Sequence, residues 1–377
     1  IKNSLKTNCL SKQLNLVFKG SSYLFIAHKM SPSAGKTKEL DSKYDEVVVK
    51  FVSDVRSGKL QGSYNTAVST VNLLEQLIGD CQNATAFELC GAVRAVGNRM
   101  CRALPQELVA ANMVRRVLRA IRDEHSSHAN QTGDSLGESL QRLVLAAPAR
   151  RATLGERADL RGPLRDHIAE LRAELESSKS SICSQAREHV HADELLLTYG
   201  ASGLVEKFLR NAAQRRYRLI LAEGSDVAQS HAMASRLASS GVAVTVVDNA
   251  SVCAVMPRVN KVLVSVRTVL PGGAALGAAG LHALTAAARY YSVPVVVLAP
   301  LYKLSPLHQH HCNWLSTPHT AVPYGALAVS EAHVVAPLYD FVPPDHITLF
   351  VTNLGGSSPS YIYRLLSELY DSNDHQL

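Results

Sequence analysis

Residues 193–209 read DELLLTYGASGLVEKFL, and this stretch decides the fold class. Residues 194–199 are an apolar run of strand length. Gly200-Ala201-Ser202-Gly203 is a glycine turn, and Leu204, Val205, Phe208 and Leu209 mark one face of a helix. A strand that feeds a helix through small residues leaves free backbone N–H groups at the helix start, where they and the helix dipole attract an anion. The plainer reading is a tight strand-to-helix turn that uses glycine for backbone geometry alone.

Downstream, short apolar runs alternate with helical patterns. Strands are expected at 194–199, 218–223, 243–248, 261–266, 295–299 and 347–352, with helices around 204–213, 229–239 and 281–291. Continuous apolar strands joined by helices predict a Rossmann-like, mostly parallel sheet covered on both faces. Loops at the carboxyl ends of such strands line any cleft. Here they carry Ser202, Asp226, Asp248, Arg267, Lys303 and Asn353. Gly200, Ser202, Gly203, Asp226 and Lys303 make a candidate anion pocket. No GxGxxG fingerprint, GxxxxGK[ST] loop or GxSxG elbow is present, so nucleotide-binding readings have no motif behind them.

Upstream the pattern is helical. Val47, Val48, Phe51, Val52 and Val55 form a stripe that ends near Gly58, and Val68, Val71, Leu74 and Leu77 form a second that stops at Gly79. Thr85 to Glu88 has the spacing of a capping box, and Pro105 is expected to open a fourth helix. That helix carries Arg115, Arg116, Arg119 and Arg122, read either as a solvated face or as a patch for an acidic or phosphorylated partner. The organisation expected is a disordered basic tail over 1–42, a helical domain over 43–124 and a linker over 125–162. A long connecting helix over 163–192 then leads into the α/β domain over 193–377.

Charge and cysteines bound the function class. The net charge of +7 equals the seven lysines of residues 1–38, a segment without Asp, Glu or Arg, so residues 39–377 balance to zero. The basicity belongs to a tail rather than to a nucleic-acid face. The chain opens on Ile1, and Met30 followed by Ser31 is the expected natural start. No apolar run is long enough for a membrane span. Seven scattered cysteines without CxxC spacing read as reduced thiols of a cytosolic protein. His308, His310, His311, Cys312 and His319 fall in a loop rich in Pro, Ser and Thr, and read as surface rather than as a zinc site. Neither a metal nor a cofactor is expected.

The chain's end carries a family resemblance. Residues 345–371, DHITLFVTNLGGSSPSYIYRLLSELYD, strongly resemble the end of the beta subunits of eukaryotic translation initiation factor 2B, part of its regulatory alpha, beta and delta family. The matching residues include Asn353, Gly355, Gly356, Pro359, Tyr361, Tyr363, Arg364, Glu368, Leu369 and Tyr370. Residues 112–118, NMVRRVL, and 299–306, APLYKLSP, are similar to further family segments. The resemblance covers roughly residues 43–377.

It implies a helical domain followed by a Rossmann-like domain, serving as a non-catalytic regulatory subunit of the factor that exchanges GDP for GTP on initiation factor 2. Implied partners are a delta-type pairing subunit, the alpha, gamma and epsilon subunits and initiation factor 2 itself, with no nucleic acid or membrane. Implied too is a part in sensing phosphorylation of the substrate's alpha subunit. Interface candidates are Arg115, Arg116, Arg119, Asn353, Gly355, Gly356, Tyr361, Tyr363 and Arg364. Related sugar-phosphate isomerases keep a cysteine in the glycine loop and an aspartate after the fourth strand. Gly200 and Arg267 stand at those positions here, so isomerase chemistry, or ligand sensing in the same pocket, is the alternative with less behind it.

Overall fold

A computed structural model describes residues 34–81, 85–132, 161–308, 337–375 and 377. The expectations about Met30, the lysine-rich segment up to residue 33, the linker core and positions 310–319 lie outside the described residues. The chain separates into two compact units, Ile1–Glu46 and Val47–Leu377. The larger unit holds both helices and sheet, without a division at residue 193.

Helices α1 (Ala34–Arg56), α2 (Ser63–Asp80), α3 (Ala86–Ala103), α4 (Leu108–Thr132) and α5 (Arg161–Ser184) come first. Helix α1 starts ahead of Tyr44, so residues 34–42 are helical rather than part of an unstructured tail. Its first turns hold Ala34, Lys36, Lys38, Glu39 and Leu40, all good helix formers. The capping box at α3 is present in full, with the Thr85 side chain and Glu88 exchanging hydrogen bonds with backbone N–H groups. Pro105 does not open α4. It lies in a turn, closed by a hydrogen bond from Glu107 N–H to the Leu104 carbonyl, and the helix begins at Leu108. Helices α3 and α4 cross where Gly97 leaves room, since a Cβ there would stand 2.5 Å from Val114 Cγ1.

A short helix α6 (Ala186–His189) leads into strand β1 (Leu195–Tyr199). Then follow α7 (Gly203–Ala212), β2 (Arg218–Ala222), α8 (Val227–Ala238), β3 (Ala243–Val247), α9 (Val252–Val255) and β4 (Lys261–Ser265). After them come β5 (Thr268–Val269), β6 (Ala275–Ala278), α10 (Leu281–Tyr290), β7 (Val295–Leu298), β8 (Tyr339–Val342), β9 (Leu349–Thr352), β10 (Gly355–Ser357) and α11 (Ile362–Leu369). The main sheet has the order β10-β9-β7-β4-β1-β2-β3, parallel except for β10, which turns back antiparallel on β9. All six expected strands are in it.

Alternation along these strands feeds two cores. Leu197, Ile220, Val262, Val264, Val295 and Val297 pack on one side, with α10 and α11. Leu196, Leu219, Leu221, Leu263, Val296 and Leu298 pack on the other, with α7 and α8. A parallel sheet buried on both faces needs this unbroken apolar composition. A second sheet, β5-β6-β8, is antiparallel and was not expected. It hangs beside the carboxyl ends of the main strands, and its Leu276 packs with Leu108 of α4.

Candidate functional site

A cavity of about 630 Å³ opens at the carboxyl ends of β1, β2 and β4, where a parallel sheet presents its loops. Gly200, Ser202, Gly203, Asp226, Arg267 and Lys303 all line it, together with Tyr64 and Lys179 from the helices. The structure thus gathers every residue of the candidate anion pocket.

The glycine loop is built for closeness. Gly200 takes φ +58°, a left-handed conformation that favours glycine, and its N–H donates to the Ala222 carbonyl at 2.9 Å. A Cβ on the facing Gly224 would lie 3.0 Å from Gly200 Cα, so the two loops touch through backbone. Ser202 is the residue before α7, and its side chain caps nothing. Asp226 is engaged, because its carboxylate accepts from Gln229 N–H at 3.0 Å and caps α8.

Lys303 is more than nine-tenths buried. Its Nζ donates to the Val266 carbonyl at 2.8 Å and to Ser265 Oγ at 3.2 Å. No carboxylate forms an ion pair with it among the described residues. Burial, reinforced by the Arg267 cation, pushes this ammonium down to about 7. Arg267 donates to Ser63 Oγ at 3.3 Å and pairs with Glu107, so the guanidinium ties the sheet to the start of α2 and to the turn before α4.

A pH dependence follows from Lys303. An ordinary lysine titrates near ~10.4. Between about pH 7 and pH 10 the unfolded chain therefore holds a proton that the folded chain has released. Stability should rise with pH across that window, and below it the folded state bears the full cost of a buried ammonium. Comparing urea midpoints of the wild type and Lys303→Met at pH 6.5 and 9 isolates this group. The wild type should gain on the variant as pH rises, and parallel curves would show that Lys303 is an ordinary cation.

The arginine helix has another use. Arg115 is only 2 % exposed, and it donates to the carbonyls of Asp374 and His375, each at 3.1 Å. Arg122 reaches Asp374 Oδ1 at 2.8 Å and Asp371 at 3.0 Å, while Arg94 of α3 reaches the same Asp374 oxygen at 2.6 Å. Arg116 forks onto Glu174 of α5. Arg119 meets Asp123 and the carbonyls of Ser367 and Glu368. Neither an open phosphate patch nor a solvated face describes Arg115. It holds the chain's own C-terminal segment, because a buried guanidinium needs acceptors and that segment offers them.

Residues 59–359 match the family described as "Initiation factor 2 subunit family". The translation initiation factor eIF2B subunit beta of Schizosaccharomyces pombe is 34% identical over 379 residues, covering 87% of this chain and 96% of that protein. The chain belongs to the initiation factor 2 subunit family. Among solved structures, eIF2B beta from Chaetomium thermophilum superposes with a TM-score of 0.68 at 25% identity, covering 92% of this chain and 97% of that one. A chain of the tetrameric eIF2B-beta2-delta2 complex from C. thermophilum is matched with a TM-score of 0.67 at 25% identity, covering 90% of this chain and 100% of that chain.

In this member of the initiation factor 2 subunit family the other interface candidates divide. Asn353 is used internally: it accepts from Leu301 N–H at 3.0 Å and its amide nitrogen stands 3.5 Å from Glu174. Gly355 takes φ +124° at the β9–β10 turn, and Gly356 follows in β10. Tyr361 and Tyr363 are exposed, and Arg364 lies over the Tyr361 ring at 5.7 Å. Sequence reasoning missed Glu107, Ser265 and Asp374. Glu107 lies 160 residues from its partner Arg267, and no local spacing announces such a pair. Among the described residues no group of three His, Cys, Asp or Glu side chains could hold a metal, and no helix is long and apolar enough to cross a membrane.

Proposed function

We propose that this chain acts as a non-catalytic regulatory subunit of the cytosolic exchange factor that returns initiation factor 2 from its GDP to its GTP form. Pairing with a delta-type subunit belongs to the same reading, as do the alpha, gamma and epsilon chains and a share in sensing phosphorylation of the substrate's alpha subunit. The observation that carries it is similarity to a fungal eIF2B beta subunit across 96% of that protein's length. A similar chain sits in a beta2-delta2 tetramer, which supports the delta-type partner. Exposed Tyr361, Tyr363 and Arg364 then belong to an interface, since aromatic and arginine side chains together are typical of one.

The cavity supports the absence of isomerase chemistry. Gly200 supplies no thiol, and Arg267 cannot take or give a proton near neutral pH. Asp226, a remaining acid, is occupied as a helix cap. The cavity's size and cations favour a small anion held without turnover as the second reading.

Co-expression with a delta-type chain is the test. The pair should elute as one complex with a tetramer's mass, and this chain alone should self-associate or precipitate. A well-behaved monomer indifferent to that partner would overturn the reading. Turnover of a 1-phosphorylated pentose by the purified complex, lost in Asp226→Ala, would restore the enzyme alternative.

A further inference from the structure

The loop after β7 folds Lys303 inward, so a long cationic side chain sits in the wall of the cavity with no carboxylate beside it. Its acceptors are one hydroxyl and one carbonyl, both neutral. A buried ammonium held only by neutral groups, with an arginine nearby, gives up its proton readily. Loss of that proton leaves Nζ with a lone pair and keeps it anchored to Ser265 and Val266 at the carboxyl end of β4. The other lysines of the α/β region, Lys207 and Lys261, and Lys179 of α5 are each either exposed or within reach of a carboxylate.

We propose that Lys303 is a covalent binding site for small aldehydes that carry an anionic group, held as an imine in this cavity. The amine lone pair forms the C–N bond as the carbonyl π pair moves to oxygen. One of the two nitrogen protons passes to that oxygen to give the carbinolamine, which then loses water, its C–O bond breaking and the hydroxyl leaving with nitrogen's second proton. No oxidant or reductant is needed. Ser265 Oγ, 3.2 Å from Nζ, is placed to exchange protons with the nitrogen as it changes charge. The anionic group is drawn by Arg267, which lines the cavity and whose side chain stays 22 % exposed while paired with Glu107. Lys179 adds charge at the mouth, its Nζ 3.7 Å from where a Cβ of Gly203 would be, at the first residue of α7. This inference does not rest on the exchange-factor reading, and it concerns binding rather than turnover.

The test uses the folded full-length protein and glyoxylate as probe, with cyanoborohydride to reduce the imine to a stable secondary amine. Short pulses from pH 6 to pH 9 are followed by peptide mapping of every lysine. At pH 7 Lys303 should be alkylated at least about ten-fold faster than the median lysine, because an ordinary amine is then almost wholly protonated. Its rate should level off above neutral pH while the others keep climbing. Acetaldehyde, which lacks the carboxylate, should label Lys303 with less preference. The other lysines are internal controls, so the result does not depend on a variant that folds. Lys303→Arg should abolish labelling at this position with the circular dichroism spectrum unchanged. Labelling of Lys303 no faster than the median, or climbing in step with the others, would overturn the proposal, and equal preference for both aldehydes would overturn its anionic part.

Discussion

Replacing Asp374 with alanine should cost this protein about 3 kcal/mol of stability, the low end of the range for breaking a buried ion pair from one side, because the arginines left behind are partly exposed. Asp374 is fully buried, three residues before the last residue of the sequence. Its Oδ1 receives Arg94 and Arg122, two arginines on different helices, and its backbone carbonyl receives Arg115. Removing the carboxylate takes the acceptor from Arg94 and one of two carboxylates from Arg122, which keeps Asp371, beside the buried Arg115. Asp374→Asn keeps the shape and one acceptor, so it should lose less. Chemical denaturation of the isolated chain, or thermal melting where it is stable only with a partner, reads the difference. A loss below about 1 kcal/mol, the value of an exposed pair, would show that the segment is merely laid on the surface.

This latch explains what was legible in the sequence and what was not. The parallel sheet was legible because every central strand must be apolar on both faces, and runs such as Leu195–Tyr199 and Val295–Leu298 have no other use. The second sheet was not, since β5 is two residues long and β6 contains Gly277, leaving no run to count. The glycine loop and its polar neighbours were legible as a site through topology, which puts loops at strand ends whatever their chemistry. The arginines of α4 were misread because charge on a helix normally signals solvent. What inverted the rule was an acidic tail about 250 residues away in the chain, with separations of 252 for Arg122 to Asp374 and 259 for Arg115. Sequence distance hides such pairs, and only packing reveals them.

Arg267 provides the second large effect, through Glu107. Arg267→Ala should destabilise the protein by about 3–5 kcal/mol, because Glu107 then remains as a buried carboxylate with no cation to meet it. Glu107 is 8 % exposed, and its Oε1 already lacks a partner among the described residues. The reverse change, Glu107→Ala, should cost less: the Arg267 side chain is 22 % exposed and can turn toward the cavity. The double variant should recover part of the loss, giving an interaction energy of about 1–3 kcal/mol in a double-mutant cycle. Strict additivity would mean that the pair is incidental. Arg267→Asp is the sharpest variant, since it reverses the charge at this position. Here it would set a second carboxylate against Glu107 and remove the cation beside Lys303. The expected result is a protein less stable than Arg267→Ala, with Lys303 titrating closer to an ordinary lysine because one repelling charge is gone and an attracting one has arrived. If Arg267→Asp were instead as stable as wild type, the arginine would be a replaceable lining residue.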